Sequence, residues 1–251
     1  NLREKVGQLF IYTIAPVQTK RNMQLLRDAV HTYKVGGLLF SGGKIQNQAT
    51  LTNEAQRMAR CPLLITFDGE WGLSMRLRGT PVFPRNMVLG CIQDNRLIYE
   101  YGREMARQCR EMGVQVNFAP VADVNINPKN PVINTRSFGE SPVNVADKVI
   151  AYARGLEDGG VLSVSKHFPG HGFVKADSHV DIPVDKRSLT AILDEDAAPY
   201  PWLSSVLTAV MPAHVIYPKV DKRPAGFSEK WLKDILRSRL RYEIGRASCR
   251  E

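Results

Sequence analysis

Leu63-Leu64-Ile65-Thr66-Phe67-Asp68 is an apolar run that stops on a carboxylate, and the reading of the chain turns on that ending. The run is continuous rather than alternating, as a strand covered on both faces requires. Outward from it, similar runs recur at Val6 to Ile14, Val35 to Phe40, Val114 to Val121, Val161 to Val164 and Leu207 to Val215. Polar groups follow most of them: Ser41 after Phe40, Asp123 after Val121, Lys166 and His167 after Val164, His214 after Met211.

Helical patterns lie between the runs. Asp94 to Met112 puts Leu97, Tyr101, Met105, Cys109 and Met112 on one face and ends at Gly113. Ser141 and Pro142 read as an N-cap and first helical residue, with Val145, Val149, Tyr152 and Leu156 as the stripe and Gly159-Gly160 as the stop. Ser228 is placed to cap a last helix, with Phe227 and Leu232 as a hydrophobic staple and Trp231, Ile235, Leu236 and Leu240 facing inward.

Alternating strands and helices predict one parallel α/β sheet. Polar residues gathered at the strand ends favour a (β/α)8 TIM-type barrel, whose sites form on that rim, and no GxGxxG or P-loop supports a doubly wound alternative. Six strands are counted, so the barrel is expected to be incomplete, with about six of eight βα units present.

At 251 residues, 43% hydrophobic and 24% charged, the composition is that of an ordinary globular chain, and one large domain is expected. Cys61, Cys91, Cys109 and Cys249 show no CxxC or zinc-type spacing, which excludes a disulfide scaffold. No apolar run approaches the ~18 residues of a membrane span. The formal charge of +9 is scattered apart from Arg237, Arg239, Arg241, Arg246 and Arg250, with no aromatic interleaving, so no nucleic-acid partner is expected.

The densest chemistry is Lys166-His167-Phe168-Pro169-Gly170-His171-Gly172, followed by Asp177-Ser178-His179. One reading is a metal site from His167, His171, Asp177 and His179, but Lys166 would set a cation beside the metal, and none is expected. A second makes His171 and the Pro-Gly pair loop structure, with the His satisfied by a main-chain group. A third is acid/base chemistry. Residues two apart in an extended loop project to one side, so Asp177 can accept from the His179 ring and fix its tautomer.

This sequence resembles glycoside hydrolase family 3, in its bacterial β-N-acetylglucosaminidase branch. The likeness is carried by Glu4 to Phe10, Val35 to Leu38, Asp68-Gly69-Glu70 through Arg76, Asn117 to Val124, Arg136-Ser137-Phe138-Gly139, Lys166 to Gly172 and Asp177-Ser178-His179. The resemblance implies a family 3 barrel over residues 1–245. It implies a retaining glycosidase without cofactor, acting on a carbohydrate with β-linked N-acetylglucosamine, with His179 as acid/base and Asp177 as its partner. Asp68, Arg76, Arg136, Lys166 and His167 match the family's sugar-binding positions, and His214 is expected to line the same pocket. Such hydroxyl-rich ligands suit charged donors and carboxylate acceptors. Related β-glucosidases and phosphorylases remain alternatives, as does a non-catalytic sugar-binding chain. Bacterial cytoplasm and periplasm both stay open.

Two departures stand out. Leu240-Arg241-Tyr242-Glu243-Ile244-Gly245 keeps the family pattern that precedes the seventh strand and its nucleophilic Asp, whereas residues 246–251 break it. The chain is therefore expected to be a fragment without that strand or the nucleophile, inactive by itself. Phe173 stands where relatives often carry a polar residue.

Overall fold

The structure, a computed structural model, describes residues 1–176 and 182–242, with backbone pairing alone at 245 and 246. Six strands pair in chain order, all parallel: β1 (Ile11–Ile14), β2 (Gly37–Phe40), β3 (Leu64–Phe67), β4 (Val116–Asn117), β5 (Leu162–Phe168) and β6 (Ala209–Pro212). The sheet curls into an open barrel wall, as the alternation of strands and helices predicted.

Several boundaries move. The run Val6 to Ile14 is not one strand: Leu2–Gly7 forms helix α1, and only Ile11–Ile14 pairs. A capping box explains this, because the Asn1 side chain accepts from the Glu4 N–H while Glu4 binds the Asn1 amine. The run Val114 to Val121 contracts to Val116–Asn117, since Pro120 has no N–H to donate, though Val121 still bridges to Lys166. The run Leu207 to Val215 contracts to Ala209–Pro212, ended by its own proline.

A seventh pairing, β7 (Gly245–Arg246), runs parallel to Ala209 and Val210 of β6, where the sequence pattern had suggested no further strand. The exposed ladder of an edge strand binds backbone groups, so a paired extended segment needs no apolar signature.

Side chains alternate between two cores. Leu39, Val116, Phe118, Val164 and Met211 form a small cluster of their own. Leu38 and Phe40, on either side of Leu39, belong instead to the large cluster that includes the helices' apolar stripes. Helix α2 (Asn95–Glu111) is capped by Asp94, and its buried stripe runs through Ile98, Tyr101, Met105 and Cys109. Leu97, expected inside, is 57% exposed because Ile98 takes the inward position one residue on.

Helix α3 (Pro142–Asp158) is capped by Ser141 and buries Val145, Val149, Tyr152 and Leu156, as expected. The two helices touch backbone to backbone. A methyl added at Gly155 would sit 2.2 Å from the Tyr99 carbonyl oxygen, and one at Gly102 2.5 Å from that of Tyr152. In the last helical segment, Lys230–Arg239, Ser228 Oγ accepts from Trp231 N at 3.2 Å and Trp231, Ile235 and Leu236 are buried. The expected staple is absent, because Phe227 lies exposed.

Candidate active site

The carboxyl ends of β3 and β5 meet in a chain of ion pairs. Asp68 follows the last residue of β3, and Lys166 lies near the end of β5. Lys166 Nζ stands 2.5 Å from Asp68 Oδ1 and 2.7 Å from Glu70 Oε1. Arg76, after the turn Leu73–Met75, reaches Asp68 Oδ2 at 2.5 Å. Arg136 grips Glu70 with both arms of its fork, Nε to Oε2 at 2.9 Å and Nη2 to Oε1 at 2.7 Å.

The backbone beneath is pinned as well. Asn117, ending β4, accepts from Gly69 N at 3.0 Å and donates to Gly69 O at 3.1 Å. The Tyr152 hydroxyl donates to the Glu70 carbonyl at 3.2 Å. Asn86 donates to the Arg136 carbonyl at 2.7 Å.

Burial alone would raise the Asp68 carboxyl, but the Lys166 ammonium and the Arg76 guanidinium hold it well below the carboxylate range. Glu70 is lowered too, with burial again overcome by Lys166 and Arg136. Burial would discharge Lys166, yet Asp68 and Glu70 raise it. Both carboxylates are thus held ionised and each is shared between two cations, so they accept hydrogen bonds and do not donate protons.

A second set surrounds Asp123, which is fully buried. Its Oδ2 lies 2.5 Å from His167 Nδ1 and accepts from His167 N at 3.2 Å, while Oδ1 accepts from His171 N at 2.7 Å. Burial raises Asp123, but His167 and His171 bring it below its ordinary value. An ionised carboxylate can only accept, so the network assigns the proton to His167 Nδ1 and leaves Nε2 facing Arg136 Nη2 at 3.5 Å.

His171 itself is 2% exposed, and neither of its ring nitrogens has a partner among the described residues. This corrects the expectation that a main-chain group would satisfy the ring; the main chain of His171, not its ring, is what the loop uses. Burial and the neighbouring His167 push its pKa down to about 4.

Of the residues singled out in the sequence, Asp68, Arg76, Arg136, Lys166 and His167 come together here. His214 follows β6, whose Met211 is in register with Lys166, and is partly buried on the same rim. Asp177 and His179 lie outside the described residues. Sequence reasoning passed over Glu70 and Asp123 as site residues, although both sit in the quoted motifs. The missing signal was partner identity, since a carboxylate two residues after Asp68 could equally have pointed at solvent.

Fixed acceptors alternating with fixed cations line the rim of a parallel βα barrel wall, the place where enzymes of such barrels build their sites. The comparisons narrow the class. The glycosyl hydrolase family 3 N terminal domain matches residues 1–243, and the chain belongs to that family. It is 41% identical over 237 residues to a beta-hexosaminidase of Bordetella avium, covering 90% of this chain and 66% of that protein. A glycoside hydrolase family 3 beta-N-acetylglucosaminidase from Paenibacillus sp. superposes with a TM-score of 0.91 at 34% identity, covering 99% of this chain and 49% of that one. NagZ from Neisseria gonorrhoeae, in complex with N-trifluoroacetyl-D-glucosamine, gives 0.84 at 37% identity, covering 95% and 73%. The chain thus spans about two thirds of the length of the curated relative and about half that of the Paenibacillus enzyme.

Proposed function

We propose that the protein is a retaining exo-β-N-acetylglucosaminidase acting on cell-wall glycans, with this chain supplying the subsite for the non-reducing-end sugar and the acid/base pair. The observation that carries the reading is the sharing of Asp68 and Glu70 among Lys166, Arg76 and Arg136. Asp68 accepts from sugar hydroxyls, Arg76, Arg136 and Lys166 donate to them, and His167 offers Nε2 beside Arg136. His214 extends the same rim. The match to beta-hexosaminidases supports the N-acetylated sugar as substrate.

Retaining hydrolysis needs a group that protonates the departing oxygen and then activates water. Asp68, Glu70 and Asp123 are held ionised, and His171 is pushed too low to carry a proton at neutrality. Those four are set aside on that ground, and the Asp177-Ser178-His179 motif supports assigning the proton to His179, with Asp177 as the acceptor that orients it.

The test uses the full-length gene product with 4-nitrophenyl N-acetyl-β-glucosaminide and 4-nitrophenyl β-glucoside, with and without inorganic phosphate. Preference for the N-acetylated substrate, release of free sugar without phosphate, and a β-configured first product are expected. Preference for the glucoside, or turnover that requires phosphate, would overturn the reading.

A further inference from the structure

One guanidinium serves two buried carboxylates beside the loop that follows β5. Arg187 Nη2 lies 2.6 Å from Asp185 Oδ2 and 2.5 Å from Asp196 Oδ2, and both aspartates are 1% exposed. Arg187 Nη1 also reaches Glu195 at 2.7 Å, but that side chain is half exposed and screened by water. The Phe173 ring covers one face of the guanidinium, with its centroid 3.7 Å from the guanidinium carbon.

Inside this arrangement two negative charges meet one positive charge. Among the described residues no other cation pairs with either carboxylate. The groups that approach from the remaining elements do not supply one. Tyr217 spends its hydroxyl on the Gly170 carbonyl at 2.5 Å, Asp123 is a further carboxylate held ionised, and His171 is pushed too low to be charged at neutrality. A surplus charge without solvent is relieved by taking up a proton. Burial, with Asp185 and Asp123 alongside, pushes the Asp196 carboxyl up to about 7, although Arg187 opposes it.

Asp196 bears on the sugar rim through backbone. A methyl built on Gly170 would meet the Asp196 Cβ at 2.4 Å, so the loop has no slack on that side. One residue on, His171 N donates to Asp123 Oδ1, and Asp123 Oδ2 holds His167 Nδ1. Gly170-His171 is therefore wedged between two carboxylates, one of which also fixes His167.

We propose that Asp185, Arg187 and Asp196 form a pH switch under the sugar subsite. With one proton bound, the two buried carboxylates and the guanidinium balance, and Gly170-His171 is held against Asp123. When the proton leaves, repulsion between the carboxylates loosens the loop that follows Lys166 and His167, and the sugar is held more weakly. The switch rests on the sugar-binding reading of those two residues.

The experiment compares the full-length gene product with its Asp196→Asn and Asp185→Asn variants, each of which leaves one carboxylate to one guanidinium. Binding of free N-acetylglucosamine is titrated from pH 6 to pH 8.5. Wild-type affinity should fall about five-fold or more over that range, and that of each variant by less than about two-fold. Melting temperature supplies a reading independent of the sugar. The folded chain keeps a proton that the unfolded chain releases in the ordinary carboxylate range, so this stabilisation is complete in acid and is lost as pH rises to about 7. Relative to Asp196→Asn, the wild-type melting temperature should therefore fall between pH 5 and pH 7.5, the opposite direction to the contribution of His171.

Parallel loss of sugar affinity in all three proteins, or a wild-type melting temperature that keeps a constant offset from Asp196→Asn, would overturn the proposal. A falling offset with pH-independent sugar affinity would show that the proton is bound but does not govern the loop, and the switch would be wrong. Should Asp196→Asn fail to fold, Asp185→Asn removes the same surplus charge and carries both measurements. If the wild type binds no N-acetylglucosamine at any pH, the sugar reading falls and the switch falls with it, whatever the melting temperatures show.

Discussion

Glu70 and Lys166 form an ion pair of 2.7 Å in which the Glu70 side chain is 0% and the Lys166 side chain 3% exposed. Removing Glu70 leaves Lys166 with Asp68 alone and takes from the largely buried Arg136 both oxygens that its fork holds, which costs more than the attraction itself. Glu70→Ala should therefore destabilise the full-length protein by about 3–5 kcal/mol. Glu70→Gln should do less harm, because its amide oxygen still accepts from Arg136. Denaturant titration of both variants checks this, and a wild-type midpoint for Glu70→Ala would refute it.

Lys166→Met should weaken transition-state binding, since a charge-assisted bond to a hydroxyl contributes roughly 1.5–3 kcal/mol, or about ten-fold to a hundred-fold in kcat/KM. Wild-type kcat/KM for this variant on its best substrate would remove Lys166 from the sugar site.

Asp123→Asn is expected to act on the sugar and not on the proton. Asparagine offers one acceptor where the carboxylate serves His167 Nδ1 with one oxygen and His171 N with the other, so the imidazole loses its fixed tautomer. The loss in kcat/KM should be about ten-fold and the same for good and poor leaving groups. A loss confined to poor leaving groups would mean that Asp123 belongs to the acid.

His171 should make the protein sensitive to mild acid. Its folded pKa of about 4 lies below the ordinary 6.5. The unfolded chain therefore binds the proton first as pH falls, and stability is lost progressively across that window. The loss reaches about 3 kcal/mol at its lower end. In His171→Asn the drop in melting temperature between pH 7 and pH 4.5 should shrink. An undiminished drop would place the acid sensitivity elsewhere.

Much of this site could be read from the chain because buried parallel strands announce themselves as unbroken apolar runs, and a charge just beyond such a run has only the rim to occupy. Asp68, Lys166 and His167 were legible for that reason. Asp123 was legible as a rim residue on the same ground, but its role and that of Glu70 were not, because they depend on which group each faces, and those groups, His167 and Arg136, lie 44 and 66 positions away. The first strand was overdrawn because Val6 counted toward an apolar run while the short-range capping pair Asn1 and Glu4 had already committed it to a helix. β7 was missed because a strand of two residues is too short to show an apolar pattern in the sequence.

The glycine contact between α2 and α3 has a consequence far from either helix. Gly155 lies one turn beyond Tyr152, whose hydroxyl holds the Glu70 carbonyl. The spacing of the two outer helices thereby fixes where Tyr152 presents its hydroxyl to the Glu70 carbonyl. The smallest side chains of the outer layer are as exacting as the charged ones at the rim, because a methyl group there would push apart the helix that carries Tyr152 and the one packed against it.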